Sequence, residues 1–341
     1  MKKQNQKIGL LAAISLIVGN MIGAGIFVLP ASLAKFGGIS ILGWIFTAIG
    51  ALILAKIFSN FSKLISSKSG GPYLYSKVVF GDFIGFLVAW GYWISCWINN
   101  AAIAVAIVSA LSFFFPVLIN SPLYATLTGL SFIWLFTWTS SHGVKFSGNI
   151  QIITTVAKLL PLLFIIISGI FIFDSNLFPE FNNTEQSDFE IFPIVCIMTL
   201  YAFLGIESAT IPASSIKNPN VTIPRATMIG TVISTLIYIF GTIILFGILP
   251  MEKLIDSPAP FAEAGNIVAG KYGGYFISAG AAISAIGALN GWILITSYMP
   301  ISMANDNLFP KVFKNTNSKG SPIVSLVFGS ILTSFVMTMN F

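Results

Sequence analysis

Charge is what this sequence has least of. Only 8% of its 341 residues are Asp, Glu, Lys or Arg, against about 25% in soluble domains, too few to cover a globule in water. With 56% hydrophobic side chains and a mean hydropathy of +0.90, the chain reads as a membrane protein. Histidine occurs once, at His142, and cysteine twice, at Cys96 and Cys196, both inside apolar runs. That excludes a disulfide framework and leaves no set of metal ligands. An enzyme working at membrane depth needs clustered His, Asp and Cys, which are missing, as are Gly-x-Ser-x-Gly and His-Glu-x-x-His motifs. Neither catalysis nor a cofactor is expected. The formal net charge of +6 comes from 17 cations, of which all but Arg225 are lysines. They sit in short loops between apolar runs, with no basic helix or aromatic-interleaved patch, which excludes nucleic acid as a partner.

What the chain has in abundance is apolar runs. A hydrocarbon core about 30 Å thick takes roughly 20 helical residues, and that ruler finds spans at 8–30, 39–58, 83–115, 122–140, 149–173, 192–216, 225–249, 272–303 and 322–340. Loops such as Ser66-Ser67-Lys68-Ser69-Gly70-Gly71-Pro72 and Lys217-Asn218-Pro219-Asn220 separate them with turn chemistry. Short cytoplasmic loops retain Lys and Arg. An N-terminus on the inside puts 13 of the 17 cations there, including Lys2, Lys3, Lys77, Lys217 and Arg225, and leaves Lys35, Lys253 and Lys271 outside with most of the acids. Nine spans then place the C-terminus outside. Lys2 and Lys3 before an apolar stretch resemble a signal peptide, but Asn20 interrupts the stretch and further spans follow, so a retained first helix is expected.

The informative residues are those a plain span excludes. An ionisable group at membrane depth costs about 2.5–3.5 kcal/mol on insertion scales, and two stand out: Glu207 midway along the sixth span and Lys158 in the fifth. Each has a packing reading, Glu207 as an acid bonded to a neighbouring helix and Lys158 as an ammonium tying helices together through carbonyls. Each also has a functional one, and a charge there must in either case face protein or water. Glycine interrupts the first span in Gly19-Asn20-Met21-Ile22-Gly23-Ala24-Gly25 and the sixth in Gly205-Ile206-Glu207-Ser208-Ala209. Small residues alone serve close helix packing. The two interrupted spans are five apart, however, so they enter the membrane from opposite sides. That is the signature of an inverted repeat, here 8–173 and an incomplete second half of four helices at 192–341, with a binding site at the breaks. Amides freed by a break can hold a carboxylate, and freed carbonyls can hold an ammonium; together these grip the common part of an amino acid.

Residues 19–30, Gly70-Gly71-Pro72, Cys96-Trp97-Ile98-Asn99-Asn100, Gly205-Ile206-Glu207-Ser208-Ala209, Lys217-Asn218-Pro219 and Asn290-Gly291-Trp292 resemble the amino acid/polyamine/organocation transporters. Among these they resemble most the basic amino acid/polyamine antiporters that include arginine:agmatine and lysine:cadaverine exchangers, the former nearest. The resemblance is collinear over essentially the whole chain. It implies an all-α polytopic fold of two inverted five-helix repeats with broken first and sixth helices. It also implies sodium-independent exchange of a cationic amino acid, arginine, for agmatine or another amino acid by alternating access. A proton-coupled or exchange permease for another amino acid, lysine, ornithine or a neutral one, is the alternative. The substrate site it implies comprises Asn20, Ile22, Gly23, Ala24, Gly25, Cys96, Asn100, Ile103, Tyr201, Leu204 and Trp292. Gly23 to Gly25 would bind the carboxylate, Asn100 would reach the far end of the substrate, and Trp292 would stack on its cation. Tyr92 and Glu207 would gate and couple, and Lys158 would stand where sodium-dependent relatives hold sodium. Departures are Tyr201 for the stacking tryptophan, Ile103 for a methionine and Ala24 for a serine. The setting implied is a bacterial inner membrane, with amino acids, amines and the lipid bilayer as partners. Relatives have twelve spans, so the resemblance also implies a chain shortened at its C-terminal end. Without the helices that form the usual homodimer interface, a dimer is in doubt, and an inactive shortened product is a further alternative.

Overall fold

A computed structural model describes residues 7–65 and 68–340; Lys2, Lys3, Ser66, Ser67 and Phe341 lie outside the described residues. The described chain is helical, in the order α1 (Leu10–Met21), α2 (Leu29–Ala34), α3 (Ile39–Leu64), α4 (Pro72–Phe80), α5 (Asp82–Ser112), α6 (Val117–Asn120), α7 (Pro122–Ser141), α8 (Val144–Phe171), α9 (Asp188–Tyr201), α10 (Pro219–Ile248), α11 (Met251–Asp256), α12 (Pro260–Asn305) and α13 (Ile323–Thr338). Five of them, α3, α5, α8, α10 and α12, are long and apolar enough to cross a membrane. The fold is thus that of an all-α polytopic membrane protein.

Each expected span has its counterpart, and the differences have local causes. The run at 8–30 splits into α1, an irregular stretch, a 3₁₀ turn at Gly25–Phe27 and α2. The run at 192–216 ends as regular helix at Tyr201 and continues through turns to a 3₁₀ turn at Ala213–Ser215. α4 was not expected. Gly71, at φ 49°, turns the chain and Pro72 opens the helix, a position that needs no amide donor and suits proline's fixed φ. α12 begins twelve residues before its predicted span and bends at Ala269 and Gly270, where glycine takes φ 60°.

Two groups of helices share the interior. α3 packs with α9 and α10, and α10 with α1, while α5, α7, α12 and α13 pack with one another; α8 lies against α12, α1 and α10 and joins the groups. The second group has a core of its own, with Ala104 and Ile107 of α5, Ile133 and Phe136 of α7, Leu289 and Ile293 of α12 and Leu326 and Met337 of α13. Large apolar side chains such as Ile49, Ile53, Phe171 and Phe335 are exposed around the periphery. Such a surface suits hydrocarbon.

Candidate functional site

The two interruptions meet inside the bundle. Asn20 Nδ2 donates to Ser208 Oγ at 2.9 Å. Gly205 takes φ +111°, and a Cβ there would stand 3.2 Å from the carbonyl carbon and Cβ of Asn20 and from the amide of Met21. Only glycine fits both the conformation and the approach.

A helix that stops inside a membrane leaves carbonyls that water cannot satisfy. At the end of α1 they are taken one by one. Ile22 N–H donates to Val18 O at 2.8 Å and Gly23 N–H to Met21 O at 3.1 Å. Trp292 Nε1 donates to Asn20 O at 3.3 Å. Lys158 Nζ donates to Gly19 O at 2.9 Å, Ile22 O at 2.6 Å and Ser284 O at 3.1 Å. Ser284 Oγ lies 3.1 Å from Ile22 O and 2.9 Å from Gly23 O, and donates there. The ammonium, fully buried, thus spends its three hydrogens on carbonyls and stands at the negative end of the α1 dipole. Beyond the break the amides behave oppositely. Those of Ala24, Gly25 and Ile26 find no acceptor among the described residues, and they lie where the chain re-enters helix, an arrangement that receives anions.

Glu207 lies in the other interruption. Tyr92 donates its hydroxyl to Glu207 Oε1 at 2.6 Å, and the Gly205 amide donates to Oε2 at 3.2 Å. No cation pairs with it among the described residues, where the ion pairs are those of Lys77 with Asp82 and Asp306. Glu207 is 8% exposed, and that small opening faces a cavity of about 450 Å³. Burying a carboxylate is expensive unless donors surround it, and the Tyr92 hydroxyl and Gly205 amide supply two.

The cavity gathers most of the expected site. Asn20, Gly23, Ala24, Gly25, Tyr92, Cys96, Ile103, Tyr201, Leu204, Glu207 and Trp292 all line it. Three expected residues do not. Ile22 is fully buried and contributes its carbonyl to Lys158 rather than a side chain to the wall. Lys158 lies behind the break. Asn100 turns away, and its Nδ2 donates to Thr296 Oγ1 at 3.1 Å; the neighbouring Asn99 faces the cavity with Ser95, Ala102 and Ala106. One residue on a helix is a rotation of about 100°, enough to exchange the two faces. Met198 and Tyr238 also line the wall and were not foreseen. Ser147, Gln151, Thr155 and Lys158 recur at helical spacing along α8 and are all buried. That polar stripe was visible in the sequence and marks the face turned to α1 and α12.

Between the cavity and the end of the bundle where α1 begins lies a layer of ties. Ile8 bridges to Ile216, with Ile8 N–H donating to Ser215 O and Lys217 N–H to Ile8 O, each at 2.9 Å. Ser69 and Ser214 hydroxyls meet at 2.7 Å, and those of Ser215 and Tyr298 at 3.0 Å. At the margin Lys77 reaches Asp306 at 2.9 Å and Asp82 at 3.1 Å, and Tyr73 donates to Asp306 at 2.7 Å. Burial pushes the Tyr73 hydroxyl up, and the Asp306 carboxylate adds to it. For Asp306, burial raises the carboxyl but the Lys77 and Tyr73 bonds outweigh it, leaving it below the usual carboxylate range. Burial likewise opposes the Lys77 charge, and its two carboxylates overcome that and raise it.

Known proteins carry related sequences. The sequence model of the amino acid permease family matches residues 8–341. The chain is 34% identical to the cadaverine/lysine antiporter of Escherichia coli, covering 98% of this chain and 75% of that one. It is 32% identical to a putative arginine/ornithine antiporter of Bacillus subtilis, over 97% of this chain and 76% of that one. Against the arginine/ornithine antiporter of Pseudomonas aeruginosa the identity is 31%, over 100% of this chain and 72% of the relative.

Proposed function

The chain belongs to the amino acid permease family, within the amino acid/polyamine/organocation transporters, and from that premise we propose that it exchanges a cationic amino acid for its decarboxylated amine or for another amino acid. The reading is carried by one observation. One cavity at two helix breaks is lined both by the stretch Ala24, Gly25 and Ile26, whose amides lack acceptors among the described residues, and by Glu207, a carboxylate with no cation among them. An α-amino acid with a second positive group supplies a partner to each. Its carboxylate would take the free amides, its distal cation would approach Glu207, and the face of Trp292 adds about 0.5–2 kcal/mol if the cation stacks there. A diamine lacks the carboxylate and would forgo that part, so the two members of an exchange pair would differ in how they hold α2.

The relatives are named for lysine with cadaverine and for arginine with ornithine, so lysine, arginine and ornithine are the substrates to test, with cadaverine and agmatine as counter-substrates. Tyr201 and Ile103 leave a lid and wall of moderate size, consistent with any of the three. The mechanism we favour is alternating access between two inverted repeats, 8–173 and 192–341. The Ile8–Ile216, Ser69–Ser214 and Ser215–Tyr298 ties would part when the cavity opens toward the end where α1 begins. We place that end in the cytoplasm of a bacterium, because short loops carrying lysine cluster there. Lys158 would replace a bound sodium ion, giving sodium-independent exchange.

Counterflow in proteoliposomes tests the reading. Vesicles loaded with unlabelled lysine, arginine or ornithine should accumulate the labelled amino acid, and internal cadaverine or agmatine should drive the same uptake. Protein that catalyses no exchange of any of these, while holding a neutral amino acid tightly, would overturn the assignment to cationic substrates.

A further inference from the structure

Gln151 lies on α8, fully buried against the end of α1, and its amide is half used. Oε1 accepts from Asn290 Nδ2 at 2.7 Å. Asn290 is itself fixed by Ser147, whose hydroxyl donates to Asn290 Oδ1 at 3.1 Å and whose carbonyl accepts from Nδ2 at 3.1 Å. This arrangement orients Gln151: with Oε1 engaged, Nε2 is left over, and it has no acceptor among the described residues. Asn20 presents the complementary atom. Its Nδ2 is bound to Ser208, and its Oδ1 is buried without a donor among the described residues. Both orphans crowd one point. A Cβ on Gly291 would stand 2.0 Å from Asn20 Oδ1 and 3.2 Å from Gln151 Nε2, and a Cβ on Gly19 would stand 1.9 Å from Gln151 Nε2. Glycines on two different helices keep this space clear for two amides.

We infer that Gln151 is a positioning residue for the cavity: its Nε2 donates to Asn20 Oδ1 as the break in α1 closes on substrate. The inference rests on reading the cavity as an amino acid site. Buried donors and acceptors are nearly always paired, and leaving either member unpaired is unfavourable. Here an orphan of each kind sits a small movement from the other, Asn20 in the wall of the cavity and Gln151 behind it. An arrangement that pairs them is favoured over one that does not, so the pair biases α1 toward its closed position. Because Asn20 also holds Ser208, the same bond fastens both interruptions to Asn290, and through Asn290 to α12 and the start of α8. Gln151 touches no substrate; its influence passes through Asn20.

The test measures binding of labelled lysine, arginine and ornithine, exchange rate at saturation, and thermal stability on reconstituted or detergent-purified full chain. Gln151→Met keeps side-chain length and removes the donor. It is expected to weaken substrate binding by about tenfold, in line with the loss of one buried hydrogen bond, with saturated exchange changed much less. In an Asn20→Ala background the same substitution should add no further loss of affinity. A loss of equal size in that background would place the effect on Asn290 packing and overturn the inference, as would unchanged affinity in the single variant. Gly291→Ala supplies an independent arm, because it leaves the Gln151 bond to Asn290 in place and sets a methyl between the two amides. It should reproduce the affinity loss, and wild-type affinity there overturns the proposal even if Gln151→Met does not fold. Wild-type protein that binds none of the three amino acids removes the cavity reading itself, and this inference with it.

Discussion

Replacing Lys158 by methionine separates what its charge does from what its volume does. Methionine keeps the unbranched length and adapts to irregular packing, so the cavity left behind is small and the change is chiefly electrostatic. Of the three carbonyls that accept from the ammonium, Ile22 O keeps Ser284 Oγ at 3.1 Å, and Ser284 O lies inside α12, while Gly19 O has no second donor among the described residues. One fully orphaned carbonyl costs about 1–3 kcal/mol. Loss of a cation from the end of α1 removes up to about 2 kcal/mol of dipole compensation. Against this stands the release of a buried ammonium, whose effective desolvation is several kcal/mol. With the three bonds, at 2.6–3.1 Å, taken to offset that desolvation, the losses win. The expected net is a destabilisation of about 1–3 kcal/mol. Thermal unfolding of purified Lys158→Met against wild type, at fixed pH and in one detergent, measures it, and a melting temperature equal to or above wild type refutes the reasoning. The same samples test the cation-replacement idea. Wild-type exchange should be indifferent to replacing potassium by sodium at constant ionic strength, and wild-type transport that rises steeply with sodium contradicts it.

The remaining predictions concern the wall of the cavity and the layer beneath it. Tyr92→Phe removes only the hydroxyl that donates to Glu207. A hydrogen bond to a charged group contributes about 1.5–3 kcal/mol, so exchange of lysine or arginine should fall about tenfold or more, and a variant exchanging at the wild-type rate would deny that bond a role. Glu207→Gln should weaken dibasic substrates far more than any neutral amino acid the protein accepts, and competition assays that show equal losses would detach Glu207 from the cation. Gly205→Ala meets a disfavoured φ and the backbone of Asn20 and Met21 at 3.2 Å. Strain of about 1–3 kcal/mol is expected, read as lowered thermal stability; unchanged stability would mean the breaks do not approach so closely. Asp306→Asn tests the tie at the margin. Because its carboxyl is held below its ordinary value near about 3.9, its contribution is present above that value and lost as pH falls through the lowered one. The gap in melting temperature between wild type and variant should therefore be open at neutral pH and close in acid. The pair is partly exposed, so the gap corresponds to about 1 kcal/mol or less, and one that persists unchanged to the lowest pH sampled would assign it to another cause.

Composition and spacing alone determined that this is a polytopic helical membrane protein, because so few charges cannot cover a globule and apolar runs near 20 residues have one stable use. They also located the interruptions, since Gly23, Gly25 and Gly205 stand where uninterrupted helix would otherwise run, and they singled out Glu207 and Lys158 by their cost in lipid. Local rules did not reach the faces. Asn99 and Asn100 are chemically identical neighbours, and which of them meets the cavity depends on the rotation of α5 against α12, fixed by Thr296 on another helix. α4 was hidden because a nine-residue helix opening on Gly71-Pro72 reads as a turn until Tyr73 and Lys77 find Asp306, more than 200 positions away. The two readings of Lys158 were equally open in the sequence. Its position against the end of α1 shows the tying contacts directly, since the acceptors Gly19 O, Ile22 O and Ser284 O come from two other helices. The sequence specified which groups could not be left in lipid. Only the tertiary structure decided which partners satisfy them, because those partners are backbone atoms exposed by breaks in helices distant along the chain.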